Sequence, residues 1–173
     1  MYCIGLGVWP ASVLLAQWVA QACSVAAGMQ DLIIIELGAG CGLPALAAAA
    51  YCPCKEVYIT DIHAPTLENA QYNVEQNADL YARRGVQVQV KNVNWKDEGS
   101  YPPNKADILL GSDLVYDAAI LSLLVKAVSN MLKPGGVFLY VAPDSGRDGL
   151  SDLISALATA GIDCVEKAPA SEE

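Results

Sequence analysis

Apolar positions along this chain alternate between helix-spaced stretches and short β-branched runs. Pro10 opens the first helix with Ser12 as its N-cap, and Val13, Leu14, Val19, Ala20, Cys23 and Ala27 supply apolar faces before Gly28 stops it. Leu32 to Ile35 is a strand buried on both faces, followed by a glycine turn and an alanine-rich helix from Pro44 to Tyr51. Glu56 to Thr60 is the second strand. Leu67, Ala70, Val74 and Ala78 then recur at helical spacing. Val86 to Val90 alternates as a half-exposed third strand at a sheet edge, and Ile108 to Leu110 is the fourth. Leu121, Leu124, Val125, Val128 and Leu132 mark a helix that Lys133 to Gly136 stops. Val137 to Val141 is a fifth strand, Leu150 to Leu157 a last helix closed by Gly161, and Ile162 to Val165 the start of a sixth strand. This order predicts a doubly wound, mainly parallel α/β sheet whose ligands lie beyond the carboxyl ends of the strands.

The candidate chemistry gathers at those ends. After the first strand come Glu36 and then Gly38, Gly40 and Gly42 at every second position, with Pro44 at the start of the next helix. Glycine lets backbone approach a ligand and take positive φ, and the helix start offers free N–H groups. The dinucleotide fingerprint Gly-x-Gly-x-x-Gly fails, because its third glycine would be Leu43. The Glu-x-Gly-x-Gly-x-Gly that is present resembles the first motif of S-adenosylmethionine (SAM) methyltransferases. Asp61, at the tip of the second strand about twenty residues on, is placed to accept both ribose hydroxyl hydrogens. A turn or helix-cap Asp before Pro65 is the alternative. Trp95 and the segment Ser112 to Tyr116 fall at the same end of the sheet.

Composition narrows the partners. With 173 residues, 54% hydrophobic and 17% charged, the chain is long and apolar enough for one folded domain over 1–173. A net charge of −9, with Arg83-Arg84 the only adjacent basic pair, argues against nucleic acid. The six cysteines lack a Cys-x-x-Cys pair and His63 is the single histidine, so no metal is expected and the thiols read as reduced. The uncharged stretch Met1 to Gln30 has no positive leading segment, and neither it nor Leu37 to Cys54 reads as a membrane span. The expectation is a cytoplasmic protein, with the nucleus as the alternative, that is a monomer or weak dimer.

Four features carry a family resemblance: Gly7-Val-Trp9-Pro10-Ala11, Glu36 through Pro44, Asn94-Trp95, and Asp113-Leu-Val-Tyr116. On these the chain resembles the seven-β-strand (class I) SAM-dependent methyltransferases. More narrowly it resembles methyltransferase family 16, the protein-lysine methyltransferases outside the SET group. The resemblance runs from about Gly7 to Val165. It implies that Glu36, Gly38, Ala39, Gly40 and Asp61 hold SAM, with Asn94 and Trp95 on the adenine side and Trp9 and Ser112 near the methionine end. S-adenosylhomocysteine would be the product. A core role for Trp9 is the alternative. Asp113 and Tyr116 would be catalytic at the mouth where the acceptor nitrogen enters, unless they are an N-cap and a core tyrosine. The tetrad begins Asp-Leu, not Asp-Pro-Pro or Asn-Pro-Pro, which disfavours nucleic-acid bases as acceptors.

The implied reaction is methyl transfer from SAM to a side-chain amine of a protein, lysine ahead of others. The alternatives are a small-molecule, arginine or histidine methyltransferase of the same fold, or a SAM-binding module without catalysis. One departure stands out: the family's antiparallel sixth and seventh strands have little sequence left here, so the C-terminal antiparallel strand is expected to be missing and the domain cut short.

Overall fold

The computed structural model describes residues 4–25, 29–144 and 146–166. Five strands form one parallel sheet: β1 (Leu32–Leu37), β2 (Cys54–Asp61), β3 (Gln87–Asn92), β4 (Ala106–Ser112) and β5 (Leu132–Val141), in the order β3-β2-β1-β4-β5. Strand order reverses between β1 and β4, the place where a doubly wound sheet opens a crevice at its carboxyl edge.

Side-chain alternation along β1 builds two cores. Ile34 faces one side with Val57, Ile59 and Leu110, covered by α1 (Pro10–Val25), α2 (Leu43–Tyr51) and α3 (Ala64–Gln76). Ile33, Ile35 and Leu37 face the other with Leu109, covered by α4 (Leu121–Met131) and α5 (Leu153–Thr159). Every residue of β1 is buried, Glu36 included, as expected of a central strand with helices on both faces. β3 is an edge strand with alternating exposure, as its Val-Gln pattern predicts.

Some boundaries differ from the sequence expectation. Ser12 lies inside α1, where its Oγ donates to the Trp9 carbonyl at 2.7 Å, so Trp9 and not Ser12 precedes the helix. Leu15, Ala16 and Val19 are its buried face, while Val13 is exposed. Gly28 lies outside the described residues. The Lys133–Gly136 stop does end α4, but strand pairing already includes Leu132, opposite Ala106, before resuming at Val137 opposite Ile108. The four residues between bulge out. Beside this irregularity Asp107 accepts the Ile33 N–H at 2.8 Å and pairs with Lys133, filling in for an interrupted ladder.

The sixth strand does not form among the described residues. Ile162–Glu166 is irregular and Val165 is 82% exposed. The reason is local: the Ile162 N–H is spent on the Leu157 carbonyl at 3.0 Å, closing α5. Cys41, Cys54 and Cys164 are free thiols, whereas Cys52 is disulfide-bonded, which corrects the expectation of uniformly reduced cysteines.

Candidate functional site

The turn after β1 is pinned from several directions. Its Ala39 N–H donates to the Thr60 carbonyl at 2.8 Å, and the Thr60 hydroxyl donates to the Glu36 carbonyl at 2.6 Å. Gly38, Gly40 and Gly42 all have positive φ. At Gly38 glycine is needed twice over: φ is +54°, and a Cβ there would stand 2.7 Å from Leu114 Cδ2. The same Cβ would lie 3.8 Å from Trp95 Cζ2, so Trp95 and Leu114 flank the turn at close range.

Glu36 sits beneath the turn, 0% exposed. Its Oε2 accepts the Ala45 N–H at 3.0 Å, capping the first turn of α2, which begins at a left-handed Gly42 that has no side-chain cap. Oε1 is buried without a hydrogen-bond partner. Burial pushes the carboxyl up to about 8; the Ala45 N–H opposes this and the nearby Asp61 charge reinforces it. Glu36 therefore holds the turn and the start of α2 from below.

Asp61 ends β2 and faces the same turn. Oδ2 accepts the Gly40 N–H at 3.2 Å, while Oδ1 accepts from Ile62 N–H at 2.7 Å and His63 N–H at 3.1 Å. It thus serves the glycine turn and the α3 entry together, which is the turn and cap role that the sequence offered for it. His63 is the exposed residue that precedes α3.

After β3, Asn94 organises its loop: its Oδ1 accepts from Lys96 N–H and its own N–H donates to Ser100 Oγ, both at 3.0 Å. Trp95 is half-buried against the α4-side core, and its carbonyl accepts from Tyr101 Oη at 2.8 Å. Trp9, at the start of α1, is 46% exposed.

The turn after β4 carries Ser112, Asp113 and Tyr116. Asp113 has φ +51°, unusual for a residue with a side chain. Its N–H donates to the Val141 carbonyl at 2.8 Å. The next two N–H groups, of Leu114 and Val115, both donate to Tyr140 Oη at 3.1 Å. Burial is the main influence that pushes the Tyr140 phenol up. Arg147 then reaches across from the loop after β5: Nε donates to Asp113 Oδ1 at 2.7 Å and Nη2 to Oδ2 at 2.6 Å. Tyr116 is 58% exposed.

The fold therefore brings Gly38, Ala39, Gly40, Asp61, Trp95, Ser112, Asp113 and Tyr116 to the carboxyl ends of the strands. Sequence reasoning missed Tyr140 and Arg147, whose signal was only that their strand and loop finish at that same edge. The residues fit a nucleoside with a charged tail: a glycine turn that admits close approach, an acid at the next strand tip, and an aromatic ring beside the turn. An apolar cavity of about 340 Å³ lies elsewhere, lined by Val19, Leu32, Asp107, Lys133 and Leu139. No group of acidic, His or Cys side chains among the described residues could hold a metal, and no helix among them is long and apolar enough to cross a membrane.

Comparison with known proteins agrees with this architecture. The sequence profile of the lysine methyltransferase family matches residues 2–158. The chain is 25% identical over 168 residues to protein-lysine N-methyltransferase EFM3 of Chaetomium thermophilum, covering 91% of this chain and 48% of that protein. It is 32% identical over 134 residues to mouse protein-lysine N-methyltransferase EEF2KMT, covering 72% of this chain and 38% of that protein. Among solved structures, an O-methyltransferase family protein from Burkholderia thailandensis superposes with TM-score 0.69 at 18% identity, over 92% of this chain and 54% of that one. The chain spans 34% to 48% of the length of the first three curated relatives it matches.

Proposed function

Because the chain belongs to the lysine methyltransferase family over residues 2–158, we propose that it transfers a methyl group from SAM to a protein side-chain amine, lysine first. The observation that carries this reading is the coupling of the glycine turn to Asp61 across the carboxyl ends of β1 and β2, with Trp95 against the turn.

When bound, SAM supplies a methyl group already activated on a sulfonium. The chain's own residues then have a short task. Gly38 and Gly40 would let backbone come close to the cofactor, and Asp61 would take a ribose hydroxyl on the Oδ2 lone pair that its three backbone bonds leave open. Glu36 acts from beneath by fixing the turn and the start of α2. Trp95, with Asn94 shaping its loop, would hold the adenine side, and Ser112 and Trp9 the methionine end.

On the acceptor side, Tyr116 is exposed at the mouth and orients the incoming nitrogen, in the turn that Asp113 opens. Bringing a lone pair into line with the methyl is chiefly a matter of proximity and orientation. Loss of the ammonium proton is favoured where the amine leaves water beside a positive charge. A protein with a net charge of −9 also suits a basic segment as substrate.

The test is calorimetric titration with S-adenosylhomocysteine, with NAD as control and Asp61→Ala as the comparison, followed by labelled-methyl transfer into proteins of a cell extract. Binding lost in the variant, with label recovered on lysine, is the expected result. Failure to bind in a folded protein would remove the reading.

A further inference from the structure

Both oxygens of the Asp113 carboxylate are held by one guanidinium, in the planar two-bond geometry that arginine makes and lysine cannot. The pair is partly withdrawn from solvent, with 29% of the Arg147 side chain and 13% of the Asp113 side chain exposed. Asp113 and the two residues after it are also tied to β5 through Val141 and Tyr140. The whole turn that presents Tyr116 is thus fixed from β5 and the loop that follows it.

This arrangement bears on which form of the amine can react. Methyl transfer needs a neutral nitrogen with a free lone pair. An unpaired carboxylate at the mouth would stabilise the ammonium form and hold the substrate in the unreactive state. A substrate ammonium is a single point charge. It would replace two parallel bonds by one or two unaligned ones, so exchange with Arg147 is unfavourable.

We propose that Arg147 is a positioning residue for the transfer reaction: it keeps Asp113 occupied, so that this carboxylate holds the Tyr116 turn in place and does not trap the acceptor as a cation. The proposal rests on the reading of residues 112–116 as the acceptor side of a SAM-dependent enzyme. It leaves recognition of the amine to Tyr116 and its surroundings.

The experiment compares wild type, R147K, R147M, D113N and the double variant D113N/R147M. Initial rates are taken over a range of concentrations of a pooled peptide library, each peptide carrying one lysine. S-adenosylhomocysteine affinity and thermal unfolding are measured on each protein. In R147M we expect kcat to fall by about 10- to 100-fold, with no rise in KM and cofactor affinity unchanged. R147K should fall between, because it keeps the charge and loses the fork. The double variant should exceed R147M in kcat and stay below wild type, since no carboxylate remains to hold the cation but the clamp on the Tyr116 turn is still absent.

A gain in kcat/KM for R147M would overturn the proposal, because Arg147 would then be a competitor of the substrate. Losses that simply multiply in the double variant would overturn it too. If R147M does not fold, R147K with D113N carries the same comparison: R147K with undiminished kcat refutes the role. If wild type binds S-adenosylhomocysteine and methylates no peptide, the lysine reading is what fails for this probe. The clamp is then judged by the Arg147 Nε–H resonance in nitrogen-15 spectra. A distinct signal lost in D113N supports it, and a signal unaffected by D113N overturns it.

Discussion

Gly40 donates its amide hydrogen to Asp61 Oδ2 at 3.2 Å, across the gap between the ends of β1 and β2. With Oδ1 accepting from Ile62 and His63, the carboxylate joins the glycine turn to the start of α3. A residue read from sequence as a ligand is therefore also the strut of the turn that would face that ligand.

Substitution of Asp61 should accordingly show in two measurements. Asp61→Ala removes the acceptor of three amide hydrogens, and the protein should lose about 1–3 kcal/mol of stability in urea unfolding. Asp61→Asn keeps one acceptor oxygen and should lose less. Both should weaken S-adenosylhomocysteine binding by about tenfold or more, since a hydrogen bond to a charged group contributes roughly 1.5–3 kcal/mol. Equal stability in wild type and Asp61→Ala would show that the bonds to the turn contribute nothing.

Gly38 tests the turn from the other side. Gly38→Ala places a methyl 2.7 Å from Leu114 Cδ2 at a backbone φ of +54°. The combined steric and conformational cost should be roughly 1–3 kcal/mol. The double substitution Gly38→Ala with Leu114→Ala separates the two causes. It relieves the clash and leaves the φ penalty, so the two losses should be less than additive once the cost of Leu114→Ala alone is known. Strict additivity would place the whole effect in the backbone.

How much of this site could be read from sequence depends on whether a residue's role is local. The Ile33–Ile35 run, the glycine spacing and the acid at the next strand tip are all set within a few residues, and the strands formed where those patterns said. β1 runs on to Leu37 and β4 to Ser112 because both are buried central strands. The alternating Val88 and Val90 of β3 marked an edge strand because one face meets solvent. Arg147 was invisible: its partner Asp113 is 34 positions earlier, and only the parallel pairing of β4 with β5 brings them together. Tyr140 was read as one member of a strand, and nothing in the strand's pattern says that its hydroxyl meets the two amides after Asp113. The expected sixth strand failed for the complementary reason. Ile162 and Val165 supply propensity, but pairing is non-local, and the Ile162 N–H is taken by the end of α5.

Glu36 makes stability depend on pH in a direction opposite to that of most carboxylates. The ordinary value is 4.5 and the folded value about 8. Between them the folded protein keeps a proton that the unfolded chain has released. Stability therefore falls as pH rises through that window, by up to about 1.4 kcal/mol per pH unit from this group, and levels off above the folded value. Glu36→Gln cannot titrate. Its stability relative to wild type should rise steadily from pH 5 to pH 8 in urea unfolding. Parallel curves for the two proteins would mean that the carboxyl ionises in the folded state at its ordinary value.

Tyr140→Phe isolates the hold that β5 exerts on the Asp113 turn. The phenol oxygen accepts from both Leu114 and Val115 at 3.1 Å, while its ring packs 5.6 Å from Phe138 in a tilted pair. Phenylalanine keeps the ring and leaves two amide hydrogens without an acceptor in a half-buried place. Each unsatisfied amide costs about 1–3 kcal/mol where water cannot replace the bond, and less where it can. The variant should therefore lose stability modestly and show faster hydrogen exchange at Leu114 and Val115 than at Leu109 and Leu110 within β4. Cofactor affinity should hold, because the glycine turn and Asp61 are tied to one another and not to Tyr140. Methyl transfer should drop in kcat as Tyr116 loses its fixed turn. Unchanged exchange at both amides would assign the stiffness of the turn to Arg147 and Val141 alone, and would leave Tyr140 with packing as its only part.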